Sequence, residues 1–221
     1  MRKAWSTKSA RSSPRYEHRQ RMIPWFYDFS GSTVRCLGRA LWRTRVFGSA
    51  NVPAEGPLIV ACNHLSYLDP PLMASFCPRR ISYMAKKELF AIPVLGPVIR
   101  GLGAYAVDRH GSATAAIRRS LQVLEGGGAI GIFPEGTRNR SGTVPPQTGV
   151  ALLASLAGAP VVPACILGTD RALRLARVDV AFGAPLTLPA DRKATREDLS
   201  KFTAEIMKAI EALAGSMSGN S

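Results

Sequence analysis

Short apolar runs alternate with helical patterns along the chain from residue 57 onward. Most of these runs are rich in β-branched residues and are bounded by Gly or Pro, which is typical of buried strands. The predicted buried strands are 57–62, 81–85, 104–108, 129–133 and 161–166. A further run, 177–182, alternates polar and apolar residues and predicts an edge or half-buried strand. The alternation of strands with helices predicts an α/β domain with a largely buried sheet.

Three segments between and after these strands have helical patterns. Ser112 is placed to cap a helix that ends at the glycines 126–128. The segment 148–158 is a second helix candidate. Thr195 and Asp198 have the spacing of a capping box at the start of a closing amphipathic helix.

The chain before residue 48 has a different character. Residues 1–21 are polar, basic and aperiodic, which predicts a flexible arm. Residues 22–47 interleave aromatic and apolar side chains with arginines and predict a basic amphipathic helical segment. Its apolar stripe contains Val34, Leu37, Gly38 and Leu41, and its basic stripe contains Arg35, Arg39 and Arg43.

Two interpretations of the segment 22–47 are open. Tryptophans near both ends and a basic face suit a helix that lies in the headgroup layer of an anionic membrane. The alternative is a helix packed on the domain with a solvated arginine face. We expect the folded domain to span residues 48–215 and residues 216–221 to form a flexible tail.

The distribution of charge narrows the choice of partner. The chain has 29 Lys and Arg against 15 Asp and Glu, a net charge of +14, which implies an anionic partner. Residues 1–47 hold eleven basic and two acidic residues, so they carry +9 and leave +5 for the rest. Because the excess lies beside aromatic residues and not over the domain, we expect an anionic membrane surface and no nucleic acid. A nucleic-acid-binding protein that uses the basic arm is the alternative.

The cysteines and the absence of long apolar segments predict the compartment. Cys36, Cys62, Cys77 and Cys165 are 26, 15 and 88 residues apart, which forms no C-x-x-C pair, so we expect buried thiols in a reducing compartment and no metal. The sequence shows no apolar region of a secretory signal and no run of about eighteen apolar residues. These features predict a peripheral protein on the cytoplasmic face of the cell membrane.

A candidate acid–base pair follows the first predicted strand. His64 would lie at the carboxyl end of that strand, where open α/β folds bind ligands. Asp69, five residues later, can fold back to accept the imidazole N–H, which makes the pair a candidate general base. The spacing alone is also compatible with a capping or core histidine. A nucleophilic thiol at Cys62 is disfavoured because the surrounding strand is apolar.

Two further motifs follow other predicted strands. In the motif at 133–138, Glu135 can accept a hydrogen bond from an alcohol and Arg138 offers a planar fork that matches a phosphate. The segment 103–109 ends a third strand in Arg109. If these strands are parallel, all three motifs meet at one edge of the sheet. Such a site would deprotonate a hydroxyl close to a phosphate.

These motifs resemble the glycerophospholipid acyltransferases, typified by the bacterial 1-acyl-sn-glycerol-3-phosphate acyltransferases. The four sequence blocks of that family appear in order, and the similarity extends from about residue 56 to residue 186. The blocks are N-H-x4-D at 63–69, G-x5-R at 103–109, F-P-E-G-T-R at 133–138 and a V-P block at 161–163. The resemblance implies a single domain with a mostly buried mixed sheet flanked by helices.

The resemblance also implies a reaction. A fatty acyl group would move from acyl-CoA or acyl-carrier protein to the free hydroxyl of lysophosphatidic acid (1-acyl-sn-glycerol 3-phosphate), in phospholipid biosynthesis and without a cofactor or a metal. His64 would take the hydroxyl proton and Asp69 would hold His64, while the hydroxyl attacks the thioester directly. The residues implied to bind the glycerol phosphate are Arg109, Glu135, Gly136, Thr137 and Arg138.

The sequence departs from the family pattern in two places. Many members have a basic residue ahead of the glycine that follows the third block, whereas residues 145–149 read P-P-Q-T-G. Ala164 replaces the usual valine of the fourth block. Both departures bear on the acceptor more than on the reaction class, and a different lysolipid or polar-lipid acceptor is the alternative.

Overall fold

The computed structural model describes residues 22–107, 113–139, 142–189 and 194–219. Within them, the strands are β1 (Arg45–Phe47), β2 (Leu58–Cys62), β3 (Ile81–Lys86), β4 (Tyr105–Val107), β5 (Ala129–Ile132), β6 (Val161–Leu167) and β7 (Asp179–Phe182). The helices are α1 (Pro24–Trp42), α2 (Asp69–Phe76), α3 (Leu95–Gly101), α4 (Ala113–Glu125), α5 (Gly149–Ala157) and α6 (Arg196–Ser218). Short 3₁₀ helices cover Ser49–Asn51, Lys87–Ala91 and Thr169–Arg174.

The seven strands form one mixed sheet in the order β1-β7-β6-β2-β5-β3-β4. All neighbouring pairs are parallel except β6 and β7, which are antiparallel. The strands from β6 to β4 therefore end at the same edge of the sheet. The predicted α/β domain with a mixed sheet flanked by helices is confirmed.

Two apolar layers cover the faces of the sheet. Side chains of β2 alternate between them: Ile59 and Ala61 pack under α4, α5 and α6, while Leu58, Val60 and Cys62 pack under α2. All five residues of β2 are buried. Burial on both faces explains why the predicted strands are continuous apolar runs.

Most predicted elements are confirmed, including the capping box. The Thr195 hydroxyl accepts from the Asp198 N–H, and the Asp198 carboxylate accepts from the Thr195 N–H. The helix that begins there continues to Ser218, so part of the predicted flexible tail is helical. Residues 1–21, predicted as a flexible arm, lie outside the described residues.

Two predictions are wrong, and the first error explains the second. The predicted helical segment 22–47 ends as a helix at Trp42, and Arg45–Phe47 form β1. Because β1 pairs with β7, the latter is an internal strand with all four residues buried, not an edge or half-buried strand. Arg45 also forms a two-pronged ion pair with Asp179 across the two strands.

Helix α1 docks on α2 through its inner face. The hydroxyl of the buried Tyr27 donates to the carbonyl of Ala74 and accepts from the N–H of Ile81. Gly31 and Gly38 are buried on the same face. At Gly38, a Cβ atom would lie 3.0 Å from the Phe76 ring, so the glycine permits the close approach.

Only half of the predicted apolar stripe of α1 belongs to its docking face. Val34 and Gly38 pack toward the domain, whereas Leu37 and Leu41 are exposed. The packed-helix alternative therefore describes the inner face, and an apolar outer face remains. The exposed large apolar residues of the outer face are Trp25, Phe29, Leu37 and Leu41. In the described part of the chain, no helix combines the length and hydropathy that a bilayer crossing requires.

The prediction of buried thiols holds for three of the four cysteines. Cys62, Cys77 and Cys165 are buried, but Cys36 is exposed. Cys36 lies on α1 away from the docking face, which is formed by small residues and Tyr27.

Candidate active site

The loop after β2 folds back so that His64 and Asp69 meet. The imidazole Nδ1 of His64 lies 2.8 Å from Oδ2 of Asp69, which is the first residue of α2 and is fully buried. The same Oδ2 accepts the backbone N–H groups of Leu65 and Ser66, each at 2.6 Å. The other oxygen, Oδ1, accepts from the hydroxyl of Thr169.

This set of donors determines the tautomer of the histidine. An oxygen that accepts two backbone N–H groups acts as an acceptor toward the ring, so Nδ1 of His64 carries the hydrogen and Nε2 carries the lone pair. Within the described residues, Nε2 has no hydrogen-bond partner. The His64 side chain is 16% exposed, so the site is open to a substrate at this ring. The geometry is that of a general base held by a carboxylate.

The backbone of His64 is fixed by the motif at 133–138. Its N–H donates to Oε2 of Glu135 at 2.9 Å, and its carbonyl accepts the N–H of Asn139 at 2.7 Å. The side chain of Asn139 donates to the other oxygen of Glu135 at 3.1 Å. Burial raises the pKa of Glu135, and these hydrogen bonds oppose the shift in part. Glu135 thus joins the loop after β5 to the loop after β2.

The imidazole plane is set by aromatic packing. Phe133 stacks on His64 with ring centroids 4.2 Å apart, and Tyr83 stacks on Phe133 with ring centroids 5.8 Å apart. Tyr83 crosses Gly131 in β5, where a Cβ atom would overlap its ring. The glycine inside a central strand is therefore required by the aromatic stack that supports the histidine.

Arg138 lies at the same edge of the sheet as His64. Its guanidinium covers the ring of Tyr67 in the His64 loop, 3.7 Å from the ring centroid, a cation–π contact. Gly136 and Thr137 are exposed beside it. Gly136 has a φ of +67°, and a Cβ there would come within 2.8 Å of the Gln147 amide, so this turn needs glycine.

Arg109 is the predicted site residue that lies outside the described residues. The strand that leads to it, β4, is the third strand from β2, which corresponds to roughly 14 Å across the sheet. His64, Asp69, Glu135, Gly136, Thr137 and Arg138 are brought together around the two loops after β2 and β5.

Sequence reasoning missed three polar residues that hold the site. Thr169 is 100 positions from its partner Asp69, so no local pattern indicates the contact. Asn63 bonds both backbone groups of Ile166 and thus joins the ends of β2 and β6. Asn139 directly follows the third block, and this position is the one feature of the sequence that indicates a role for it in the site.

The described residues do not favour a thiol nucleophile or a metal cluster at this site. Burial raises the pKa of the Cys62 thiol well above its usual value, which disfavours the thiolate that a nucleophile requires. No group of three or more His, Cys, Asp or Glu side chains with metal-binding geometry occurs in the part of the chain that the structure describes.

Comparison with known proteins identifies the class of enzyme. The family model described as Acyltransferase matches residues 43–167. The chain is 31% identical over 164 residues to the 1-acyl-sn-glycerol-3-phosphate acyltransferase of Bacillus subtilis. The aligned region covers 72% of this chain and 82% of that protein. It is 34% identical over 144 residues to the protein of the same name from Borreliella burgdorferi, covering 61% of this chain and 57% of that one.

A solved structure shows the same architecture. The 1-acyl-sn-glycerophosphate (LPA) acyltransferase PlsC of Thermotoga maritima superposes with a TM-score of 0.67 and 27% identity, over 85% of this chain and 81% of that chain. The protein is an O-acyltransferase. The chain belongs to the acyltransferase family whose members include these bacterial enzymes, as its sequence blocks predicted.

Proposed function

We propose that this enzyme transfers a fatty acyl group from acyl-CoA or acyl-carrier protein to the free hydroxyl of 1-acyl-sn-glycerol 3-phosphate, in phospholipid biosynthesis. The observation that carries the proposal is the His64–Asp69 pair at the same sheet edge as the Arg138 guanidinium. The relatives named above carry the name of this acyltransferase. A base beside an anion-binding fork suits an acceptor whose hydroxyl lies close to a phosphate.

In the proposed mechanism, Nε2 of His64 takes the proton of the acceptor hydroxyl. The acceptor oxygen forms a bond to the thioester carbonyl carbon, the C–S bond breaks, and the proton passes from His64 to the departing thiolate. Asp69 stabilises the imidazolium that exists between the two proton transfers. A base placed in this way accelerates a reaction by about 10² to 10⁴. No acyl-enzyme is needed.

The acceptor phosphate is proposed to bind beside the pair. Arg138, oriented by Tyr67, supplies the guanidinium fork, and Thr137 in the exposed turn supplies further donors. The N–H of Gly136 donates to the carbonyl of Phe133, so we assign Gly136 to the shape of this turn. Because both oxygens of Glu135 hold neighbouring groups, we assign Glu135 to positioning of the His64 loop and not to direct contact. Arg109 remains a predicted phosphate ligand.

The experiment is an acyl-transfer assay on a panel of lysophospholipids with acyl-CoA and acyl-carrier-protein donors, read by mass spectrometry. His64→Ala should abolish transfer and leave the fold intact. Arg138→Gln should raise the KM for the acceptor, whereas Arg118→Gln, at an exposed arginine on α4, should not. Full turnover by the His64 variant would refute the mechanism.

The same panel tests the identity of the acceptor. Residues 145–149 lack the basic residue that many family members have ahead of the glycine, and Gln147 of this segment packs over Gly136 in the turn of the third block. This departure favours including lysophospholipids with other headgroups as a second candidate class. Preference for one of them over lysophosphatidate would change the acceptor but not the chemistry.

We also propose that the enzyme works at the cytoplasmic face of the cell membrane, bound peripherally. The support is the outer face of α1, where Trp25 and Phe29 are 70% and 68% exposed, on a helix that also carries Arg35 and Arg39. Vesicle binding should strengthen with anionic lipid and weaken with salt. Removal of residues 1–48 is not a clean test, because it removes β1 from the sheet.

A further inference from the structure

A second exposed apolar feature lies outside α1, in the segment that follows β6. Here the 3₁₀ helix Thr169–Arg174 and the next residue form what we term the β6 tip, residues 169–175. Leu173 in the tip is 100% exposed, and Leu175 is 54% exposed. The proposed acyl-transfer chemistry uses neither side chain. A partner with an apolar layer would remove the surface of these leucines from water, which is favourable.

The charges of the β6 tip favour an anionic partner. Arg171 and Arg174 flank Leu173 and are exposed. The one acid of the tip, Asp170, lies 3.8 Å from Arg171. An exposed leucine between two arginines matches a surface with an apolar layer beneath anionic headgroups, because arginine side chains extend toward the headgroups while the leucine inserts.

The β6 tip is held in place by both of its neighbours. The Thr169 hydroxyl donates to Asp69, and the carbonyl of Ala172 accepts the indole N–H of Trp42 at 2.9 Å. Gly168 enters the tip with a φ of +86°, and a Cβ there would overlap the carbonyl of Arg177. A tip held in this way loses little conformational entropy when it meets a partner.

We propose that the β6 tip is a second membrane contact of this enzyme and that its partner is the surface of an anionic phospholipid bilayer. The proposal rests on the proposed membrane association, and it adds a contact separate from α1. The bond between Trp42 and Ala172 places the tip beside the C-terminal end of α1, where Trp42 directly follows the outer-face residue Leu41 in sequence. The combination of the two contacts restricts how the enzyme is oriented on the bilayer.

The orientation bears on the chemistry of the site. Leu173 follows Thr169 by four residues, about 8 Å along a 3₁₀ helix. Thr169 bonds Asp69, the partner of His64. Insertion of Leu173 would therefore bring the general base close to the headgroup layer, where the hydroxyl of a lipid acceptor lies.

The test measures co-sedimentation of the full chain with vesicles of phosphatidylcholine, with and without phosphatidylglycerol. Leu173→Ser should lower partition onto vesicles by about tenfold. Arg171→Gln with Arg174→Gln should lower it on the anionic vesicles alone. The matched control is Leu156→Ser. Leu156 is 55% exposed on α5, which packs on the face of the sheet opposite to α2, so this variant should bind vesicles as the wild type does. Thermal unfolding followed by circular dichroism checks that each variant is folded.

Two results would overturn the proposal. The first is equal vesicle binding by folded Leu173→Ser and Leu156→Ser. The second is a self-association of the wild type that Leu173→Ser abolishes without a change in vesicle binding, which would make a second copy the partner. The assay needs no acyl transfer, so a failure of the proposed acceptor chemistry would be seen separately, in the lysophospholipid panel.

Discussion

At the scale of single residues, the site depends on how fully the Asp69 carboxylate is surrounded. Three N–H groups share Oδ2, and one hydroxyl binds Oδ1. A buried carboxylate with this many donors cannot rotate without breaking several hydrogen bonds. The carboxylate therefore fixes the direction of the His64 ring, and Thr169 is the side chain that fixes the carboxylate.

Replacement of Thr169 by valine tests this positioning role. Valine keeps the shape and removes the donor, and the loss of a hydrogen bond to a buried charged group costs about 1–3 kcal/mol. We expect kcat to fall by about ten- to a hundredfold, with little change in the KM for the acceptor. Thr169→Ser, which retains the hydroxyl, should restore most of the rate.

The matched control for this experiment is Thr203→Val. Thr203 is also buried, but its hydroxyl donates to the Leu199 carbonyl within α6, away from the site. Steady-state kinetics of Thr169→Val, Thr169→Ser and Thr203→Val measure whether Thr169 positions the carboxylate. An unchanged kcat in folded Thr169→Val, or an equal loss in the Thr203 variant, would remove the positioning role.

At the scale of elements, Tyr27 is one of the residues that attach α1 to the domain, with Arg35 and Trp42. Burial raises the pKa of this phenol to about 12, so the folded state favours its neutral form. A raised pKa contributes stability below the unfolded value of about 10 that is lost as the pH rises toward 12. Up to about 2–3 kcal/mol of stability should disappear across this interval.

Tyr27→Phe tests this interpretation. At neutral pH the variant loses two hydrogen bonds, to Ala74 and Ile81, and should be about 1–2 kcal/mol less stable. Its stability should fall less steeply than that of the wild type between pH 10 and 12. Urea unfolding at several pH values measures both effects. Tyr67→Phe, at an exposed tyrosine, serves as the control, and parallel pH profiles for the wild type and Tyr27→Phe would contradict the expectation.

The elements also show where sequence patterns carry information and where they do not. The strands from β2 to β6 were predictable because their apolar runs end at Gly, Pro or charged residues. β1 was not predictable, because the residue that caps the C-terminal end of α1 is Arg43, with a φ of +47°, and no Gly or Pro marks the break. With β1 unseen, β7 was interpreted as an edge strand.

In the site, too, some contacts follow from sequence patterns and others do not. The contact of His64 with Asp69 spans five residues and was visible as a spacing, whereas Thr169 reaches Asp69 only because β6 pairs with β2. The position of Glu135 near His64 followed from the parallel strands. Its use as a support for the His64 backbone depends on loop conformations that the sequence pattern does not specify.

At the scale of the whole molecule, the proposed function requires that the site and the membrane-facing surface act together. The outer face of α1 and His64, the proposed general base, belong to one domain, because α1 is docked on α2 and α2 begins with Asp69, the partner of His64. Binding at the outer face should therefore assist catalysis only when the acceptor lies in a bilayer. An acceptor that is monomeric in water does not need a bound enzyme.

Trp25→Ser with Phe29→Ser separates these two situations. Both side chains are largely exposed and face away from the docking surface, so the fold should be retained. We expect kcat/KM to fall by about tenfold or more with a long-chain acceptor in anionic vesicles. With a short-chain acceptor below its critical micelle concentration, kcat/KM of the variant should equal that of the wild type. For the wild type, high salt should reduce the difference in kcat/KM between the two acceptors. An equal loss with both acceptors would show that these residues support the fold or the site, and that the outer face of α1 is not a lipid contact.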